Sequence, residues 1–250
     1  LLVGEVVGTH TCLEQIDRDL SRDQASAPEI HVRNTPGSSM RYPIHLALEG
    51  GRVLMVGGGA VAERRVRRLL EAGSRVRIVS PVLSEELGEL RDRGAVEHTP
   101  RGFEPADLEG AILAFAATDD AAVNRQVADE ARRRGILVNV ADDPIACDFT
   151  LPACVVRGSL VVSVSTNARS PGLAAALRRR LEIQFGPEWA ELTRMLSDIR
   201  PDLLRLGLSS ETIAGRIDTV LESNALGLIR EGQEEEARTA AARILLPDAV

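Results

Sequence analysis

The run RVLMVGGGAVAERRVRRLLEAG, residues 52–73, restricts what this chain can fold into more than any other stretch. A short apolar segment ends in three glycines. Beyond them Ala62, Val66, Leu69 and Leu70 recur on one helical face until Gly73, which can close the helix. A strand, a glycine turn and an amphipathic helix in that order form a dinucleotide-binding fingerprint, G-x-G-x-x-A, with Gly57, Gly59 and Ala62 at the three small positions. Gly57 permits the tight turn, with Gly58 beside it, and Gly59 lets backbone approach a diphosphate. Ala62 lets the helix pack closely on the strand. The diphosphate would rest on the N–H groups that begin the helix, helped by the helix dipole.

The alternation continues. RVRIV reads as a second strand, SEELGELRDRG as a helix and AVEHT as a short strand. AILAFAAT is a buried strand, DAAVNRQVADEARRRG a helix closed by Gly135, and ILVNV another strand. This predicts an α/β fold, a Rossmann-type doubly wound parallel sheet over residues 40–150. Right-handed crossovers place the glycine turn at the carboxyl edge of the sheet, where such folds bind ligands. FTLPACVVRGSLVVSVSTN then reads as a hairpin around Arg157-Gly158, so 151–182 is a small β-rich segment. After Ser170-Pro171 the chain reads as helical, giving a helical domain over 183–250. Residues 1–39 read as an extension or linker, polar and turn-rich over 22–39 and expected to be disordered.

Composition removes several classes. Aromatic residues make up only 2%, too few for the stacking platforms of single-stranded nucleic-acid binders. The net charge of −7 sits in the ends. Residues 1–39 carry six acidic and three basic side chains and residues 231–250 five and two, leaving 26 acidic against 25 basic between them. The middle is therefore nearly neutral and can offer a local basic surface to an anionic ligand. Cys12, Cys147 and Cys154 are odd in number and lack CxxC spacing, which suits a reducing cytoplasm rather than a disulfide or zinc framework. No apolar run approaches the roughly 18 residues of a membrane span, and Leu1–Val7 is too short for a signal core. The expectation is a cytoplasmic protein. The four histidines are scattered, so no preformed metal cage is expected.

Three further segments could carry chemistry. Ser80-Pro81 ends the second strand where NAD-specific folds often carry Asp or Glu, so NAD and NADP are not separated by spacing alone. In ATDD, Thr118 or Asp119 could line the cofactor cleft, or Asp119 or Asp120 could cap the next helix. NVADDP places Asn139, Asp142 and Asp143 at the carboxyl end of the last parallel strand. A carboxylate there could take a proton while a nicotinamide takes a hydride, or the segment could be an Asx turn before Pro144. The basic residues of ERRVRR (63–68), with Arg157, Arg169 and Arg178–Arg180, read singly as wet helix faces and together as guanidinium forks for a polycarboxylate.

PIHLALEGGRVLMVGGGAVAERRVRRLLEAG, AATDD, NVADDP, FTLPA and STNARSPGLAAALRRRLE follow in order over about residues 40–225. This resembles the precorrin-2 dehydrogenase / sirohydrochlorin ferrochelatase family, the amino-terminal module of sirohaem synthase. The resemblance implies NAD-dependent oxidation of precorrin-2 to sirohydrochlorin, in some members followed by ferrous iron insertion, and a homodimer built through residues 151–182. It also implies cofactor contacts at Ala60, Val61, Val82 and Leu83, and an essential aspartate at Asp142. Thr166, with Arg169 close by, falls where some bifunctional relatives carry a serine near the tetrapyrrole cleft. His45 departs from the family, standing where an aromatic is usual. Rival readings are an NAD-sensing regulatory module, and a chelatase or tetrapyrrole carrier without dehydrogenase activity.

Overall fold

In a computed structural model, which describes residues 41–246, each predicted strand forms where the apolar pattern places it. The expected lead segment 1–39 lies outside the described residues. Contacts divide the chain after Tyr42, and the unit from Pro43 onward carries everything below.

The strands are β1 (Arg52–Val56), β2 (Arg75–Val79), β3 (Val96–Thr99), β4 (Leu113–Ala116) and β5 (Leu137–Val140). They lie in the parallel order β3-β2-β1-β4-β5. The order reverses between β1 and β4, which opens a crevice at their carboxyl ends. Helices α1 (Ala60–Glu71) and α2 (Glu85–Asp92) cover one face, burying Ala62, Val66, Leu69 and Leu87 on Val53, Met55, Ile78 and Phe115. Helix α3 (Ala121–Arg133) covers the other, burying Val127, Ala128 and Ala131 on Leu54, Val56, Ala114 and Val138. Both faces of the central strands are thus apolar, as buried parallel strands require.

Two polar devices hold the sheet's rims. Asp107 is buried in a short 3-10 turn, where Arg101 donates to both its oxygens at 2.8 Å, the Glu104 N–H donates at 2.9 Å and Arg77 stands 3.3 Å away. Burial alone would raise its carboxyl pKa, but these donors outweigh that and hold it below the ordinary range. At the other rim the Asp148 backbone N–H donates to Val138 O at 2.9 Å, and its side chain accepts from Val138 N at 2.9 Å. The open edge of β5 is covered by this pairing.

Beyond Asp148 the hairpin forms as β6 (Ala153–Arg157) and β7 (Leu160–Val164), antiparallel, with Val156 opposite Val161. Helix α4 (Pro171–Gln184) packs on it. Helices α5 (Glu188–Arg205), α6 (Ser210–Glu222), α7 (Ala225–Arg230) and α8 (Glu234–Leu245) enclose a core of their own around Leu192, Met195, Val220 and Ala241. Buried Glu188 is held there by Arg230 at 2.6 Å. The helical reading of this part of the sequence is met, with the first helix beginning at Pro171 and leaning on the hairpin.

Candidate nucleotide-binding site

The three glycines of the turn are glycines for different reasons. Gly57 has φ +115, and a Cβ there would lie 2.2 Å from the carbonyl oxygen of Ala117. A Cβ on Gly58 would lie 2.2 Å from Val82 O and 2.9 Å from Ser80 Oγ. These two positions are closed by the protein's own backbone. Gly59 differs: its φ is −91, and a Cβ there would meet nothing within 4 Å. No internal contact requires glycine at 59, so the approach to the start of α1 is left open there. It is also the N-cap of α1, and no side chain caps that helix. The first-turn N–H groups of Ala60 and Val61 therefore suit a diphosphate.

The same packing gathers the predicted cofactor residues. Close approach of Gly58 to the β2 corner sets Ser80, Val82 and Leu83 beside the turn, and close approach of Gly57 does so for Ala117 and Thr118. Val82 is 75% exposed, an apolar side chain left open at the corner after Pro81. Ser80 is buried, and its hydroxyl donates to Val82 O at 2.7 Å, so it shapes the corner. Thr118 Oγ donates to Asn124 Oδ1 at 2.8 Å, and Asn124 Nδ2 donates back to Thr118 O at 2.9 Å. The helix cap is Asp120, which accepts from Ala122 N at 2.7 Å, while Asp119 is exposed beside it.

At the end of β5 the two carboxylates of NVADDP part company. Asp143 Oδ1 accepts from Ala146 N at 3.1 Å and Ile145 N at 3.2 Å, forming the Asx turn. Asp142, two residues past β5, is exposed and left-handed at φ +58, and takes no hydrogen bond from the described residues. Thr166 and Arg169 lie in the β7–α4 loop, where Thr166 Oγ1 accepts from Ser170 N at 3.1 Å. Asn167 and Ala168 between them have φ +51 and +62. Ala168 has no polar side chain to support that conformation, so the loop stores strain beside the predicted substrate residues.

One residue read as a wet helix face is not. Arg65 turns inward from α1, its guanidinium 5.5 Å above the Phe115 ring, and its Nη1 is buried without a hydrogen-bond partner. Burial lowers its pKa, while the neighbouring Cys147 and Asp142 oppose that shift. Asn139, paired with Phe115 across β5 and β4, is 6% exposed and donates Nδ2–H to Phe149 O at 2.9 Å. That carbonyl can only accept, which fixes the amide's orientation and leaves Oδ1 buried without a partner. Arg65 could have been found from spacing, since it sits three residues after Ala62 and four before Leu69, at the border of the inner stripe.

Uncapped helix, unobstructed glycine and exposed apolar corner, gathered at the carboxyl edge of the sheet, define a dinucleotide-binding protein of the Rossmann type. A family model described as "Putative NAD(P)-binding" matches residues 44–153. The chain is 42% identical to the siroheme synthase of Chromobacterium violaceum over 198 residues, 79% of this chain and 42% of that protein. It is 38% identical to those of Thioalkalivibrio sulfidiphilus and Nitrosococcus oceani, covering 79% and 80% of this chain and 40% and 43% of theirs. The chain thus spans about two-fifths of the length of these curated relatives. A solved structure, "SirC, precorrin-2 dehydrogenase", superposes with a TM-score of 0.63 at 26% identity, over 81% of this chain and 100% of that one. Over about four-fifths of its length the chain is thus similar to part of these siroheme synthases and to a solved precorrin-2 dehydrogenase, the family its motifs resemble. Among the described residues no three His, Cys, Asp or Glu side chains are grouped to hold a metal ion, and no helix is long and apolar enough to cross a membrane.

Proposed function

We propose that this chain is an NAD-dependent dehydrogenase that oxidises precorrin-2, a cyclic tetrapyrrole with several carboxylates, to sirohydrochlorin. The observation that carries the reading is the shared sheet edge. A glycine with no internal reason to be glycine stands at the uncapped start of α1, and a left-handed aspartate that takes no hydrogen bond from the described residues follows β5. Bound NAD supplies the hydride acceptor. The α1 N–H groups hold its diphosphate, Val82 and Leu83 flank the adenosine half, and Asp142 takes the proton released as the hydride leaves the substrate. Likeness to a precorrin-2 dehydrogenase over that protein's whole length supports the substrate.

NAD rather than NADP fits the charges beside the turn. Ser84 Oγ donates to Glu63 at 2.9 Å, and Glu63, Glu85, Glu86 and Glu89 line the groove between α1 and α2. A 2′-phosphate brought near that groove would face four carboxylates against Arg67 and Arg93. The hairpin supports a homodimer: Val156, Val161, Leu173 and Ile183 are exposed on it and on α4.

The test is absorbance of purified protein with precorrin-2 and NAD+. The dehydrogenase reading requires NADH and the sirohydrochlorin spectrum to appear together. NAD binding without turnover would favour a sensing module, and a tetrapyrrole spectrum shift without NADH a carrier or chelatase. Repeating the assay with ferrous iron as second substrate reads out metal insertion.

A further inference from the structure

Two buried polar atoms on the α1 face of the sheet have no partner. Arg65 Nη1 is a donor and Asn139 Oδ1 an acceptor. They belong to one cluster: Arg65 stacks on Phe115, Phe115 pairs in register with Asn139, and Phe149 meets Phe115 edge-on while accepting from Asn139. Guanidinium cannot shed its charge, so leaving one of its nitrogens buried without a partner is costly, and a bare buried amide oxygen in the same cluster adds to the cost. The protein does not use the two on each other. A carboxylate would satisfy the arginine but face the asparagine oxygen acceptor to acceptor. A primary carboxamide satisfies both, its C=O accepting from Arg65 and its NH2 donating to Asn139.

The position matches. With the diphosphate on α1 and the adenosine half at the β2 corner, the other half of a dinucleotide crosses toward β4 and β5. Phe115 and Asn139 are the penultimate residues of those strands. We infer that Arg65 and Asn139 are the carboxamide clamp of the nicotinamide, fixing which face of the ring is presented to substrate. This rests on the dehydrogenase reading, and adds to it the residues that orient the ring.

The experiment is calorimetric binding of NAD+, ADP-ribose (which lacks the nicotinamide) and 3-acetylpyridine adenine dinucleotide (in which a methyl replaces the amide nitrogen). Wild-type protein should bind NAD+ more tightly than either analogue. Arg65→Met removes the buried charge without removing bulk. It should weaken NAD+ binding about ten- to a hundredfold, the range for a hydrogen bond to a charged group, and leave ADP-ribose unchanged. Asn139→Leu should bind NAD+ and the acetylpyridine analogue equally, and Arg65→Met should still weaken that analogue. Equal loss of NAD+ and ADP-ribose in Arg65→Met, or loss of neither, overturns the clamp while the dehydrogenase reading stands. Wild-type protein that binds neither NAD+ nor ADP-ribose overturns the dehydrogenase reading itself.

Discussion

Substitutions two residues apart in the glycine turn should have opposite consequences. Gly57→Ala places a methyl 2.2 Å from Ala117 O and 2.7 Å from Ala117 C, backbone atoms just past β4, the strand paired with β1. It also asks an L-residue to hold φ +115. The backbone strain costs about 1–2 kcal/mol, and the forced separation about 1–3 kcal/mol more by analogy with overpacked cores. For a chain of this size each kcal/mol moves Tm by roughly 2–4 °C, so a fall on the order of 10 °C is expected. Gly59→Asp meets no protein atom, and φ −91 with ψ −171 is open to any residue. Aspartate is a better N-cap than glycine by a few tenths of a kcal/mol, so Tm should hold or rise slightly. Its carboxylate, however, takes the place of the diphosphate, and NAD affinity should fall by orders of magnitude. Thermal melts and calorimetry on the two variants read both quantities. If Gly59→Asp keeps wild-type affinity for NAD, the turn does not hold the diphosphate; if Gly57→Ala melts like wild type, the packing argument is wrong.

Further expectations follow from the same geometry. Asp142→Asn should lower the dehydrogenase rate by about 10²–10⁴-fold with little change in NAD affinity, whereas Asp143→Asn, which keeps an acceptor for the Ala146 N–H, should be mild. The reverse ranking in steady-state kinetics would mean the wrong carboxylate was chosen. Light scattering at micromolar concentration should give a homodimer, and Val156→Lys, beside Val161 on the hairpin, should shift it toward monomer; a wild-type monomer would refute the interface. Asp107 has a folded pKa below its ordinary 3.8, so its stabilisation is complete above that value and lost as pH falls through the lower one. Urea midpoints between pH 7 and pH 3 should therefore drop less in Asp107→Asn than in wild type. Ala168→Gly should raise Tm, relieving about 1 kcal/mol of left-handed strain, and a lower Tm would show the loop is held otherwise.

The sheet was legible because its strands are apolar on both faces and each is punctuated. Gly57, Gly73 and Gly135, all at positive φ, end β1, α1 and α3 where the sequence places them. The shape of the candidate site was legible wherever main chain makes it, at the glycine turn and the β5 corner. Side chains that could have gone either way needed coordinates. Asp119 and Asp120 are adjacent carboxylates before one helix, and only geometry shows that Asp120 is the cap. Asp142 and Asp143 divide similarly, because αL at 142 and the Asx turn at 143 are backbone facts that composition does not carry. Arg65 was masked by its company: in a run of five charged residues out of six, only its spacing from Ala62 and Leu69 separates it from the solvated arginines. Asp107 gave no motif at all, since its partners Arg77 and Arg101 come from separate elements.

How this protein treats its other buried charges sharpens the meaning of the unsatisfied ones. Asp107 has three donor groups, Glu130 pairs with Arg133 and Arg134, and Glu188 with Arg230. Where folding alone is at stake, then, a buried ionised side chain is saturated, as the cost of leaving it bare demands. Among the described residues the buried side-chain atoms without a partner are Arg65 Nη1, Asn139 Oδ1 and Trp189 Nε1. The indole N–H belongs to the separate helical core, away from the sheet, and carries no charge. The other two belong to one cluster, opposite in polarity, near the carboxyl ends of β4 and β5. A chain able to saturate Asp107 from three directions could have saturated these as well, or replaced both with leucine. Keeping a donor and an acceptor there, at a cost to the fold, is the pattern expected of a site completed by its ligand.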